Sequence, residues 1–314
     1  MPNILEIATL CPLKFRNQNY SNPAPYNTKY FEDYHYRDTL PYYVASDDYC
    51  QIWQKNDIIN VQIRANYGPH NLELQNYKGT KITEFVLNPV TTSMDGLGMN
   101  TYEASIALNT FDAGIYRFVL KSGSPLVTVL ETDYFNLKDL HEGSILFEVT
   151  HNENDFGFVF ETGIKVSFRV HGGFTEYTPQ TDRVVFIDQP RNIQQLSARS
   201  YYTEKLVIGN SYGVPKWVIE KINEFFLCKT VLIDGKQWAA VSGAKFDASR
   251  VGKFQRAGWT MEVMPAKKRI GNRFVNDAPA AQTDYYVTYN IEGNLFGDFN
   301  GLSNSNIIQI QSNE

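Results

Sequence analysis

Phe111-Asp112-Ala113-Gly114-Ile115-Tyr116 carries the D-x-G-x-Y spacing of a tyrosine corner. In such a corner a phenol hydrogen-bonds back to the backbone just upstream, near the start of a late strand of a sandwich. Asp112 and Gly114 would form the turn and Tyr116 would close it. On either side the sequence alternates in short runs. Ile59, Val61, Ile63 and Ala65 interleave with Asn60, Gln62 and Arg64, and Leu72 and Leu74 with Asn71, Glu73 and Gln75. Tyr102, Ala104, Ile106 and Leu108 interleave with Glu103, Ser105 and Ala107. A period of two sets one face on a core and the other in water. Tyr67-Gly68-Pro69, Lys78-Gly79, Asp95-Gly96 and Lys121-Ser122-Gly123-Ser124-Pro125 separate the runs as turns. About seven short strands at this spacing predict an antiparallel β-sandwich of immunoglobulin or fibronectin type over residues 50–142.

A second β-rich unit is expected over 143–270, also sandwich-like and with one helix. It opens with an expected hairpin, Ile145–Thr150 against Phe156–Phe160. The clearest strand follows: Ile164, Val166, Phe168 and Val170 are apolar against Lys165, Ser167, Arg169 and His171, and Gly172-Gly173 is expected to end it. Further strands are expected around Arg183–Ile187 and Lys205–Ile208. Val214–Cys228 predicts the helix, with Pro215 in its first turn and Val218, Ile222, Phe225 and Phe226 at helical spacing. Thr230–Ile233, Asp234-Gly235 and Gln237–Val241 predict a two-residue type I′ hairpin. Phe254–Met264 predicts a closing strand. Beyond it, Asp284–Tyr289 and Ile307–Ile310 are short strand-like pieces.

The ends of the chain differ from this body. Residues 1–49 are expected to form an extended arm and 271–314 a second one. Tyr20, Tyr26, Tyr30, Tyr34, Tyr36, Tyr42, Tyr43 and Tyr49 lie among Pro12, Pro23, Pro25 and Pro41, and the prolines forbid a helix. Ordering the first arm costs on the order of 50 kcal/mol of backbone entropy. Aromatic side chains laid on a neighbouring subunit would offset it. Tyr20, Tyr26, Tyr30, Phe31, Tyr34, Tyr36, Tyr42 and Tyr43 are therefore the expected assembly contacts.

Composition removes several classes. Of 314 residues, 43% are apolar and 20% charged, an ordinary globular balance. Lys plus Arg total 29 against 34 acidic residues, a formal charge of -5, so no basic bias draws the chain to nucleic acid. No long apolar window predicts membrane insertion, and Glu6 interrupts the first apolar run, which does not read as a secretory signal. Aromatic residues reach 14%, with 20 Tyr and 20 Phe, favouring pleated surfaces and interfaces. Cys11, Cys50 and Cys228 are too few and too separated for a disulfide framework or a cysteine zinc site, which fits a reducing compartment.

No catalytic, cofactor-binding or metal residues are assigned. Asp133, Asp139, Glu142, Asp155 and Glu161 sit near predicted strand ends, where a hydrolase could place a carboxylate pair; solvated turn residues are the simpler reading. Asp95-Gly96-Leu97-Gly98 lacks the acidic ligands of a calcium loop. His171 on a polar strand face reads as an exposed histidine, and Cys228 as a buried thiol. Asn210-Ser211-Tyr212-Gly213 reads as a turn and cap before the helix. Of Trp53, Trp217, Trp238 and Trp259, most fall in predicted elements and read as core.

Several phrases taken in order carry a resemblance. They are Gln54-Lys55-Asn56-Asp57, Phe111–Tyr116, Phe160-Glu161-Thr162-Gly163-Ile164 leading into Phe168-Arg169-Val170, Gly213-Val214-Pro215-Lys216-Trp217, and Ala257-Gly258-Trp259-Thr260. Over roughly residues 50–265 the chain resembles structural proteins of tailed bacteriophages and prophages of Bacteroidota hosts. The resemblance implies a virion component of the tail tip or baseplate, without enzymatic activity or catalytic residues. The expected role is then a structural tail subunit (tail tip, baseplate or neck), made in the host cytoplasm and located in the virion. Its partners would be copies of itself and other virion proteins, met through arms and sheet edges. The alternative is a carbohydrate-binding sandwich that stacks Tyr or Trp on host-surface glycan. The two roles are compatible.

Overall fold

The computed structural model describes residues 3–17, 49–90, 98–151, 158–187, 193–209, 213–249, 258–266, 286–289 and 295–298. The chain is mainly β with one helix among these residues. Residues Met1–Ala266 form one compact unit and Lys267–Glu314 another.

The first part of the larger unit comprises β1 (Leu5–Ile7), β2 (Phe15–Asn17), β3 (Gln51–Gln54), β4 (Ile58–Ala65), β5 (His70–Asn76), β6 (Lys81–Val86), β7 (Asn88–Val90), β8 (Asn100–Ala107), β9 (Gly114–Ser122), β10 (Val127–Thr132) and β11 (Phe135–Lys138). One sheet runs β1-β4-β8-β7. A second runs β2-β10-β9-β11-β3, with β5 on β9 and β6 at the outer edge of β5. Alternation dictates the shared core: Ile59, Val61 and Ile63 of β4, Leu72 and Leu74 of β5, and Phe118 and Leu120 of β9 are all buried. Phe118 stacks on Phe135 with centroids 5.3 Å apart. The expectation of purely antiparallel pairing needs one correction, because β11 and β3 are parallel, Phe135 facing Gln51. The two strands lie far apart in sequence, so no tight turn forces them into opposite directions.

The expected N-terminal arm is corrected over its first third. β1 pairs with β4, Glu6 opposite Arg64, and β2 pairs with β10, Phe15 opposite Thr132. Between them Ala8, Leu10, Cys11 and Leu13 are buried. Leu10 and Leu13 sit where a short apolar run can close over a core, which outweighs the extended bias set by Pro12. The assembly contacts expected at Tyr20, Tyr26, Tyr30, Phe31, Tyr34, Tyr36, Tyr42 and Tyr43 lie outside the described residues.

The second part holds β12 (Ser144–Thr150), β13 (Val166–Ile187), β14 (Ile193–Ile208), α1 (Lys216–Phe225), β15 (Thr230–Ile233), β16 (Lys236–Ala240), β17 (Asp247–Ser249) and β18 (Gly258–Pro265). Its order is β14-β13-β12-β15-β16-β18, and β18 pairs back onto β14. The expected second sandwich is therefore a closed antiparallel barrel of six strands, with β17 on the flank of β18. Alternation is identical whether a strand faces a second sheet or a barrel interior, so the sequence pattern does not separate the two. Phe147, Val149, Val166, Phe168, Val170, Leu206, Ile208, Val231, Ile233 and Val263 are buried within it.

Three local expectations resolve clearly. Asp234 and Gly235 both take positive φ, 48° and 76°, as a type I′ turn requires, and β15 pairs β16 around them. Helix α1 buries Val218, Ile219, Ile222 and Phe225 but is shorter than expected, with Pro215 as its cap. Phe225 lies 6.0 Å from Phe147 and 5.8 Å from Phe168, which fixes the helix on the barrel. The hairpin expected between Ile145–Thr150 and Phe156–Phe160 is corrected: β12 pairs β13 and β15 instead, and residues 158–160 are not in a strand.

Gly172-Gly173 does not end a strand either; β13 runs through both. A Cβ at Gly172 would collide with the carbonyl oxygen of Val207. Glycine here permits close approach of β14 while the strand turns from its β12 partner to its β14 partner. Arg183–Ile187 and Lys205–Ile208, expected as separate strands, are the far end of β13 and the near end of β14. Beyond the barrel these two strands continue as a paired ribbon from Thr178↔Thr203 to Ile187↔Ile193. In the smaller unit β19 (Tyr286–Tyr289) pairs β20 (Leu295–Asp298); Ile307–Ile310 lies outside the described residues.

Candidate functional site

The densest buried polar cluster lies where the first sheets meet the barrel. It starts in the β3–β4 turn. The Asp57 carboxylate accepts the Gln54 N–H at 2.8 Å through Oδ2, and the Asp57 N–H donates to the Gln54 carbonyl at 2.9 Å. That local closure aims the carboxylate at β13. Arg169 meets it bidentately, Nε to Oδ2 at 2.6 Å and Nη2 to Oδ1 at 2.7 Å. Both residues are buried. The remaining guanidinium nitrogen, Nη1, donates to Ser144 Oγ at 3.1 Å, and Ser144 Oγ donates to the His141 carbonyl at 2.7 Å. Such planar, charge-assisted pairs are among the stronger polar contacts a protein makes.

Neighbouring contacts continue the joint. Gln62, fully buried on β4, receives the Val159 N–H at 2.8 Å and donates to the Val159 carbonyl at 2.9 Å. Its side chain thus imitates a strand neighbour. Asn60 donates to the Lys165 carbonyl at 2.6 Å. The face of β4 read as solvated is buried against the segment entering the barrel, so both faces of that strand are covered.

His141 and His171 complete the cluster, their rings edge to face with centroids 6.1 Å apart. His141 Nε2 lies 3.1 Å from the Asn136 carbonyl, which identifies it as the donor nitrogen. Burial pulls His141 from 6.5 to about 4, partly opposed by the Asn136 carbonyl and reinforced by His171, Lys138 and Arg169. His171 is lowered for the same leading reason; it is half-buried, and the reading of an exposed strand histidine is corrected. The unfolded chain takes up this proton near pH 6.5 and the folded chain only near 4. His141 therefore supports the fold fully above pH 6.5, and that support is lost as pH falls from 6.5 toward 4. The expected result is a urea midpoint that drops between pH 7.5 and 4.5, with a ceiling of about 3 kcal/mol from this residue. His141→Gln, which keeps a donor for Asn136, should flatten the drop; an unchanged pH profile would refute the assignment.

The other sequence candidates do not converge. Asp133 is held by Arg16 at 2.6 Å and Asp139 by Lys55 at 2.9 Å. Glu142 and Glu161 are exposed, and Asp155, Asp95–Leu97 and Asn210–Tyr212 lie outside the described residues. Cys11, Cys50 and Cys228 are buried free thiols. Trp53 and Trp238 are buried, Trp217 and Trp259 half-buried. Among the described residues no group of three or more His, Cys, Asp or Glu is placed to hold a metal ion. No described helix is long and apolar enough to cross a membrane. The Tyr116 phenol donates to the Asp112 carbonyl at 2.9 Å, and Gly114 sits under its ring.

A second enclosed cation, half-buried and missed in the sequence, is Lys221 of α1. Its ammonium donates to the Thr9 carbonyl at 3.0 Å and to the Cys11 carbonyl. Burial lowers the lysine and raises the Cys11 thiol. The contact ties the N-terminal segment to the helix. Helical spacing alone places Lys221 on the polar flank, and only the arrival of residues 9–11 encloses it.

The chain matches no family model, and no curated protein matches it. The cluster's own geometry decides what it can do: every charge in it faces a partner inside the body, so it acts as a joint between sheet pair and barrel.

Proposed function

We propose that the chain is a non-enzymatic structural subunit of a bacteriophage virion, of the tail tip, baseplate or neck, that assembles with copies of itself and other virion proteins. One observation carries the reading. From a closed barrel, which leaves few edges, β13 and β14 project ten further paired positions with no third strand on them among the described residues. Open strand edges are templates for pairing with another chain, and a two-stranded ribbon is marginal by itself. A rigid, internally bolted body with such an extension suits a repeating assembly. The two sheets of the first part fit an immunoglobulin- or fibronectin-like sandwich, supported by the Tyr116 to Asp112 bond.

Mass photometry of the purified chain over rising concentration should reveal oligomers, and flanking portal, tape-measure or baseplate genes should accompany the coding sequence. A strict monomer at about 100 µM, far above the micromolar range of ordinary specific association, with metabolic genes as neighbours, would end this reading.

The second reading, glycan binding, is favoured by one site. Tyr177 is 63% exposed and lies 4.8 Å from the Tyr202 ring at the base of the ribbon. Glycan-array signal lost on Tyr177→Ala would support it; a blank array would remove it.

A further inference from the structure

The seat of the ribbon can be sought among the edges this chain itself offers. In the larger unit the terminal strands of the sheets are β1, β7, β2, β3, β6 and β17. β1, β2, β7 and β17 have three residues each and β7 contains Pro89, the usual protections of an edge. β3 has four. β6 is different: it has six residues, no proline, and pairs only with β5 among the described residues. Phe85 turns inward, 6.4 Å from Phe118. On the other face Ile82 is 46% exposed and Val86 59% exposed. Between them Glu84 is occupied sideways, accepting from Asn71 Nδ2 at 2.5 Å and from Lys81. Although Lys81 and Glu84 place charge on it, an edge of this length without proline or a very short run is a strand acceptor by the ordinary rules of sheet pairing.

The ribbon has one edge suited to it. Pro179 interrupts the β13 side, whereas β14 from Ile193 to Thr203 has no proline. On that same outer side β14 already accepts β18 from Glu204 to Ile208. The pairing edge is thus established inside the barrel and continues along the ribbon, where no further strand among the described residues adds to it.

We propose that the outer edge of β14, over Ile193–Thr203, adds to the outer edge of β6 in a second copy of this chain. This rests on the assembly reading above and names its contact. Donor and acceptor lie on different parts of the molecule, so the contact is heterologous. Repeated, it generates a ring if the rotation closes and a filament if it does not. Backbone bonds supply the contact, and side chains of the incoming strand lie beside Ile82 and Val86 on the same face of the extended sheet.

The test mixes two full-length populations, one carrying Ile82→Cys and the other carrying Gln194→Cys or Gln195→Cys, two successive positions of β14. The three native thiols are buried, so mild oxidation reports the new pair. A disulfide-linked species containing one chain of each kind is expected with one of the two ribbon variants. The double variant Ile82→Lys/Val86→Lys should weaken self-association at least tenfold while circular dichroism stays unchanged. Cross-links between two ribbon cysteines alone would mean ribbon-to-ribbon pairing and would overturn the proposal. Oligomers that persist without the mixed cross-link, or that ignore the lysine pair, would overturn it while leaving the assembly reading intact. A chain monomeric at every concentration would overturn both.

Discussion

Arg169→Met should cost about 3–5 kcal/mol of folding stability, because it leaves the Asp57 carboxylate buried with its strongest partner gone. In the intact protein that carboxylate has two guanidinium bonds of 2.6 and 2.7 Å and one from the Gln54 backbone. The methionine variant fills similar space but supplies no charge. Removing both charges tests whether the loss comes from the orphaned ion or from packing. Asp57→Leu combined with Arg169→Met should recover most of the lost stability, since buried ion pairs replaced by apolar groups of similar volume are often neutral. Equilibrium urea unfolding of the four proteins in this cycle gives the coupling directly. A single variant within about 0.5 kcal/mol of the parent, the spread of ordinary surface changes, would mean that water reaches the cluster.

Deleting residues 1–17 should prevent stable folding, where a dispensable arm would leave the body intact. Leu10 and Leu13 are both essentially inaccessible, and truncating one such leucine costs about 2–5 kcal/mol. The deletion also removes β1 from the edge of β4, β2 from the edge of β10, and the two carbonyls that receive Lys221. Together these approach or exceed the roughly 5–15 kcal/mol that holds a typical domain. Loss of the cooperative thermal transition is the expected readout. Leu10→Ala alone keeps the experiment informative if the deletion cannot be produced: its midpoint should fall by the leucine amount. A truncated chain that melts like the parent would restore the view of these residues as free.

These two results mark where the sequence was legible. Local chemistry was readable: Asp234-Gly235 admits the left-handed backbone of a tight hairpin, and Val218, Ile222 and Phe225 repeat at helical spacing. Strand existence followed from alternation in β4, β5, β8 and β13. What alternation could not reveal was the destination of the polar face. Asn60, Gln62 and Arg169 look like solvent-facing residues because each is polar at the expected position. Their acceptors, Val159, Lys165 and Asp57, lie about a hundred positions away, so the compensation is invisible locally. The same holds for Gly172, whose need is set by the distant Val207 carbonyl, and for Lys221, enclosed by the first residues of the chain. Barrel closure and the parallel β3–β11 pair are long-range choices of the same kind. The joint at Asp57 and Arg169 was thus present as two quoted phrases, Gln54–Asp57 and Phe168–Val170, without any sign that they touch.

The continuity of β13 and β14 from barrel wall into ribbon has a mechanical consequence. A β-bulge at Glu176–Tyr177, with Glu176 at a positive φ of 53°, marks the step from barrel to ribbon in β13, but no loop separates the projecting half of either strand from its anchored half. A pull along the ribbon therefore enters the wall in line with the strands. β13 is held there by six paired positions with β12 and β14 by five with β18, and an axial load stretches those rungs together instead of opening them one after another. Tension delivered to the tip would be shared across the wall, and the molecule would yield abruptly at high force, with little gradual give beforehand.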